Sequence, residues 1–484
     1  MLTITKSLIA AAAFTATLAA QSASTSANNV LKPIQTITLA SSVKGRFDHF
    51  GLDLKHNRLF LAAEDAQAVL VIDLSTNSQT GAITGIGKPH AIAYREDTGR
   101  IYVTDGEAGS LKIFDGASFK PVGSITLQKD ADSIGYDINA QRLYVVSGGK
   151  DAGQSYSLLS VIDTTANKKL QDIRIEGETA EAMALDVYRP RIYLNNRSAN
   201  RVDVIDRWQN KVIASWPVTL GKDNVAIALD EPHQRLFVGC RSGHVVIFDT
   251  NTGKELQALP IAKGVDDMTF DAGSKRVYAI GGGMIDVLQE VDGDHFQALG
   301  SVPAGGQAKT GRLIPEINRY FAAVPQASDA PTSVKVFEPQ NVPALKAAAV
   351  EEKAQVHAPL ALKLDMQTLS SHPDLRKLGL HTTPPGGNDS VIIANGNTSR
   401  LGVKTSAGDF EAVKDGKTYC ARKTDGSFYN MKMPLQDASG RAIGILVMEI
   451  PFTSAADDAA AIKMAEGIRS DLARQIPDRG ALFR

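Results

Sequence analysis

Seven positions in this chain of 484 residues stand ten residues ahead of a recurring arginine, and six of them ionise. They are Asp48, His90, Asp132, Glu181, Val225, Asp266 and Lys309. His49, Asn224 and Asp267 stand beside them. Brought together, four carboxylates and a histidine offer the oxygen and imidazole donors that hold a divalent cation, and they equally suit a cationic organic ligand. Crowded charges of this kind also perturb one another's pKa values. The same pattern fits a plain solvated strand end. A carboxylate beside a histidine can instead activate water as a general base, with Asp48, His49 and His90 as the candidates. Spacings such as His-x-His or Cys-x-x-Cys are absent. So are a Gly-x-Ser-x-Gly elbow, a phosphate loop, a His-Glu-x-x-His motif and a Cys-x-x-Cys-His haem attachment. The cofactor therefore stays unknown, with a divalent metal and non-covalent haem both open.

What must position these residues is the repeat itself. Its arginines are Arg58, Arg100, Arg142, Arg191, Arg235, Arg276 and Arg319, at intervals of 42, 42, 49, 44, 41 and 43 residues. Each is followed by two strand-forming residues, as in Arg58-Leu59-Phe60 and Arg276-Val277-Tyr278. Five of the seven have an aspartate five residues earlier: Asp53, Asp137, Asp186, Asp230 and Asp271. Polar turn residues lie between. An alternating strand precedes the aspartate, a second follows the arginine, a third often ends in Asp, and a weaker fourth follows. A period of about 40–45 residues made only of short strands predicts a β-propeller. The chain therefore reads as mainly β, with a seven-bladed propeller over residues 28–340. The last unit lacks an outer strand, and Ile34 to Leu39 has the pattern to supply it.

Composition shifts after Glu338. Residues 341–359, rich in Ala, Val, Lys and Glu, read as a linker. Residues 360–484 read as a small α+β domain. A helix is expected around Leu360 to Leu378, interrupted near His372-Pro373. Strands are expected at Ser390 to Ala394, Leu401 to Lys404, Lys417 to Arg422, Phe428 to Met433 and Ala442 to Ile450. A final helix, capped by Ser454, should bury Ile462, Ala465, Ile468, Leu472 and Ile476.

Two family resemblances follow from these residues. Ile101-Tyr102-Val103-Thr104-Asp105 resembles the YVTN-type repeat of secreted propellers, where the tetrad ends in Asn. That resemblance implies the fold over residues 34–338. It implies little about activity, since its relatives include binding propellers and, more distantly, lactonases, a lyase and haem nitrite reductases. The run Val391 to Ile450 resembles a Cache-type sensor domain, a relative of PAS domains, through Asn395-Gly396, Leu401-Gly402, Asp415-Gly416-Lys417 and the segment Met433 to Val447. The resemblance implies a small-molecule pocket, which Tyr419, Arg422, Tyr429 and Lys432 would line unless they form the open face of a strand. It departs from the family in having no following membrane helix.

The ends and the balance of charge bound the setting. Lys6, the run Leu8 to Ala20 and the small residues after it predict a signal peptide over residues 1–27, cut after Ala20 or Ala27. The mature protein is thus expected in the periplasm or secreted, with no membrane span. A net charge of −1 gives no basic excess for nucleic acid. Cys240 and Cys420 form no disulfide framework. The expected function is a non-enzymatic binding protein whose partner is a small molecule or a protein of the cell envelope. A hydrolase or lyase of lactonase type at the propeller mouth, with or without a metal, is the alternative.

Overall fold

Each repeat arginine opens the second strand of a four-stranded antiparallel sheet in the computed structural model. The model describes residues 30–341 and 353–484, apart from 138–139, 187–188, 328–329, 373–374, 397–399 and 424–427. The expected signal peptide, most of the expected linker and Pro373 lie outside the described residues.

There are seven such sheets among the described residues. The residue before the arginine is left-handed in six of them: Asn57, Gly99, Gln141, Gln234, Lys275 and Asn318. That conformation matches a tight hairpin to the right-handed twist of its strands. In the remaining sheet the place is taken by Pro190, which cannot adopt it. The turn aspartates Asp53, Asp137, Asp186 and Asp230 are buried. Each accepts a backbone N–H three residues on, from His56 at 3.2 Å, Ala140 at 2.9 Å, Arg189 at 2.9 Å and His233 at 3.4 Å. The register sets the arginine between this aspartate and the one that ends the third strand, as in Asp53, Arg58, Asp73 and in Asp137, Arg142, Asp163. Arg100 meets Asp115 at 2.6 Å and Arg142 meets Asp163 at 2.7 Å. Such half-exposed pairs add little stability each, but they pin the strand register that aims every side chain.

The first strands begin at Phe47, Pro89, Ile134, Ala180, Asn224, Val265 and Thr310. Each lies beside the first strand of the next sheet, and Thr310–Ile314 returns to lie beside Phe47–Asp53. Apolar side chains fill the spaces between sheets; Phe60 and Val71 of the first pack with Ile92, Ile101 and Val103 of the second. In the last sheet the outer strand is Leu31–Thr38, running antiparallel to Ser333–Pro339 from Leu31 opposite Pro339 to Thr38 opposite Ser333. The region is β-propeller-like, and the chain as a whole is mainly β.

The C-terminal residues form a five-stranded antiparallel sheet in the order Val391–Asn395, Lys377–Thr382, Ala442–Pro451, Phe428–Gln436, Tyr419–Lys423. Helices α1 (Pro359–Ser371) and α3 (Asp458–Ala473) share one core with it, built on Leu378, Leu380, Tyr429, Met431, Leu446 and Met448. A short helix α2 (Ala407–Val413) begins at a Ser406–Asp409 capping box. Three expectations need correction. Lys377–Thr382 is a strand, not the end of a helix, because Leu378 and Leu380 alternate into the core. The segment Leu401 to Lys404 makes only isolated bridges, from Val403 to Lys353 and from Lys404 to Val391. The cap of α3 is Asp457, whose side chain accepts from Ala460 N–H at 2.8 Å, rather than Ser454.

Candidate functional site

The first strands reach the ring position through a fault in their ladders. In the first sheet the pairing passes from Phe47 opposite Ala63 to Phe50 opposite Leu61, leaving Asp48 and His49 out of register. The same slip frees His90 between Pro89 and Ile92, and Glu181 between Ala180 and Met183. Asp266 lies within a one-residue slip between Val265 and Asp267. A bulge releases a side chain from the pleat and turns it toward a site. Through these bulges Asp48, His49, His90, Glu181 and Asp266 come to line one cavity of about 740 Å³, joined by Asp132 and Lys309 from just ahead of the first strands Ile134–Asp137 and Thr310–Ile314, whose ladders have no such slip. Asp267 borders a second, inner chamber of about 350 Å³.

Two His–Asp pairs organise the cavity. His90 Nδ1 lies 2.5 Å from Asp48 Oδ2 and 3.8 Å from Asp132 Oδ1. His49 is engaged on both nitrogens, Nδ1 to Asp267 at 2.6 Å and Nε2 to Asp48 at 3.4 Å. Across the cavity Asp266 is paired with both Arg241 and Lys309. Glu181 lies 3.3 Å from Arg197, which also holds Asp223 at 2.7 Å. Glu64 faces Arg46 at 3.6 Å and Lys88 at 4.0 Å.

These neighbours set the protonation states. Burial works to raise the Asp48 carboxyl, but His49, His90 and Lys309 outweigh it and hold the group well below the carboxylate range. Burial works against a charged imidazole at His49 and His90. Asp267 and Asp48 overcome it for His49, which is raised well above its ordinary value. Asp132 and Asp48 overcome it for His90, which rises to about 9. Both rings are therefore imidazolium at neutral pH. Burial, helped by Asp48, pushes Asp132 up to about 6 against the pull of His90 and His49. Burial and Asp132 push Glu181 up to about 7 against Arg241 and Arg197.

Asp132 Oδ1 and His90 Nε2 are buried without a hydrogen-bond partner among the described residues. Asp48, His49 and Asp132 each bring one donor atom within 4.8 Å of the others, as do Asp48, Glu64 and His90. A metal on either set would have to displace a proton and break a His–Asp pair, so the readiest donor is Asp132 Oδ1, which accepts no hydrogen bond among the described residues and has only the His90 ring at 3.8 Å.

Glu64, Arg197 and Arg241 belong to the cavity and were not expected from the ring pattern. They share a signal of their own: each stands six residues after a repeat arginine, where three other units carry Gly106, Gly148 and Gly282 and the last carries Pro325. The C-terminal candidates, by contrast, do not converge. Strand alternation puts Arg422 opposite Tyr429 on one face and Tyr419 opposite Lys432 on the other. Tyr429 is fully buried in the core, Tyr419 is exposed, and Lys432 is 2.7 Å from Asp409 of α2. These four side chains therefore cannot line a single pocket.

No protein-family model and no curated protein matches the chain. Among solved structures it is similar to Kuenenia stuttgartiensis hydrazine synthase, with a TM-score of 0.52 at 17% identity over 62% of this chain and 97% of that one. Likeness at that identity shows the β-propeller-like fold and nothing further.

Proposed function

We propose that the protein is an exported binding protein whose propeller mouth takes up a small cation, either a divalent ion or an ammonium group. The reading joins several expectations. Seven sheets with neighbouring first strands support a seven-bladed ring of YVTN type. A five-stranded antiparallel sheet with α1 and α3 in its core supports a Cache-like C-terminal module for a small ligand or an envelope partner. The N-terminal sequence supports a periplasmic or secreted setting, and among the described residues no helix is long and apolar enough to cross a membrane.

One observation carries the cation reading. Asp132 is a carboxylate inside the cavity with a buried oxygen that accepts no hydrogen bond among the described residues, and burial has lifted it to about 6. A cation arriving there relieves the burial cost and expels the proton. Calorimetric titration of the mature protein with calcium, zinc and propylammonium at pH 6, in two buffers of different ionisation heat, tests this. Saturable binding with release of about half a proton is expected, because a group titrating near 6 is half protonated at that pH. Asp132→Asn should abolish both. Absence of binding by all three cations, or an unchanged Asp132→Asn titration, refutes the reading.

Hydrolysis is the second reading, and its base shifts from the histidines to the acids. His49 and His90 are held protonated, whereas Asp132 near 6 and Glu181 near 7 lie in the range a general base needs. Turnover of a lactone panel that is lost in Asp132→Asn would favour it.

A further inference from the structure

Seven residues before each repeat arginine stand Gly51, Ala93, Gly135, Ala184, Ala228, Thr269 and Arg312. Six are small and one is a guanidinium. The small ones have a packing reason: a Cβ on Gly51 would come 2.5 Å from the Ile92 side chain, and one on Gly135 would come 2.3 Å from Leu185. In each case the next sheet occupies the space. Arg312 departs from this rule. Its side chain crosses to the first sheet, where Nη1 donates to the Phe50 carbonyl at 2.9 Å.

The guanidinium borders the inner chamber of about 350 Å³. Phe50, Ile92, Ile134, Met183, Ile227 and Met268 contribute apolar side chains to a lining whose surface is otherwise mostly polar. Two carboxylates also border it, and both are already taken. Asp267 accepts from His49 at 2.6 Å and from the Gly311 N–H at 3.0 Å, and Asp266 is held by Arg241 and Lys309. Among the described residues Arg312 makes no ion pair, and its bond to Phe50 leaves most of its five donors unused. Burial lowers its pKa, and Asp267 and Glu316 nearby do not make up the loss.

We infer that the inner chamber binds a small organic carboxylate, held by the Arg312 guanidinium with its carbon chain against the apolar side chains of the lining. A planar guanidinium pairs with a carboxylate through two parallel hydrogen bonds. The volume suits a body of a few carbon atoms, for which the apolar side chains of the lining offer contact. Access lies through the mouth, since His49, Ser133, Ala182 and Asp266 line both cavities.

The test uses the mature protein and titrates acetate, butyrate, hexanoate and hexanamide at pH 7.5. Saturable binding that tightens with chain length is expected, with hexanamide weaker than hexanoate by about tenfold or more, a difference near 1.4 kcal/mol. Arg312→Gln should lose the preference for hexanoate over hexanamide, and Arg312→Lys should keep part of it. Failure of hexanoate to bind, equal binding of hexanamide, or undiminished hexanoate binding by folded Arg312→Gln overturns the proposal. Should Arg312→Gln fail to fold, the comparison of acid with amide on the unaltered protein still decides. Cation uptake at the mouth is read separately on Asp132→Asn, so either site can fail alone.

Discussion

Replacing His90 by Gln tests the electrostatics of the mouth most directly. The ring lies 2.5 Å from Asp48 and 3.8 Å from Asp132 and is almost wholly buried. Burial works to lower its pKa, but Asp132 and Asp48 raise it from the ordinary 6.5 to about 9. Folding raises the pKa of this base, so the stability it brings is complete below pH 6.5 and is lost as the pH climbs through 9. The span corresponds to about 3 kcal/mol, most of which remains at pH 7 and almost none at pH 10. Glutamine keeps a donor for Asp48 but cannot titrate. Urea unfolding of both proteins at pH 7 and pH 10 gives the double difference, in which the alkaline loss common to both cancels. Of the two tryptophans of the chain, Trp216 stacks on Phe248 and its fluorescence follows the propeller, whereas Trp208 borders a cavity shared with α1 and α3 and also senses the C-terminal unit, so Trp208→Phe is the background for both proteins. A deficit in His90→Gln that is the same at both pH values would refute the argument. So would an NMR titration placing the His90 midpoint at or below 6.5.

Further outcomes follow from the C-terminal unit. Asp365 of α1 is fully buried, neither carboxyl oxygen has a hydrogen-bond partner among the described residues, and burial raises it well above the usual range. Its unfolded form sheds a proton above pH 4 while the folded form keeps it, so the protein should lose about 1.4 kcal/mol per pH unit until the folded group titrates. Asp365→Asn removes that slope, and its gain should be larger at pH 7 than at pH 4.5 in thermal or urea unfolding; an equal gain at both would count against it. Tyr429→Ala should cost about 3–5 kcal/mol and Tyr419→Ala less than about 0.5 kcal/mol, because only the first empties the core. Similar losses for the two would contradict the assignment of faces.

Most of the propeller was legible because its determinants are local and repeated. An arginine, a turn aspartate and a left-handed residue recur in nearly every unit, so seven copies of one hairpin could be read from spacing alone. The ring of Asp48, His90, Asp132, Glu181, Asp266 and Lys309 was legible for the same reason, being one column of the repeat. What it does was not. The pairings of His49 with Asp267, and of Asp266 with Arg241, join residues of different sheets, and no spacing along the chain encodes them. Glu64, Arg197 and Arg241 formed a second column that went unread because glycine and proline break it. In the C-terminal unit no repeat assists. The strand Lys377–Thr382 has one short alternation behind a helix, and its pairing with Ala442–Pro451 across the chain decides its state. Helix α2 did carry a signal, the Ser406 and Asp409 spacing of its capping box.

The strand Leu31–Thr38 gives the ring a seam. In the other six four-stranded sheets the strands are joined in sequence by turns, whereas this one is held to Ser333–Pro339 by hydrogen bonds and packing alone. Chain ends about 300 residues apart must meet before it closes, and closing so long a loop carries an entropic cost that depends only weakly on its length. The order of failure then differs with the way the molecule is loaded. Heat acts on every sheet at once, but a pull on the N-terminal strand peels the seam and uncovers an edge of unpaired backbone on the last sheet. A crosslink between this strand and its partner would therefore alter mechanical resistance far more than it alters the shape of the mouth on the opposite, inner side of the sheet.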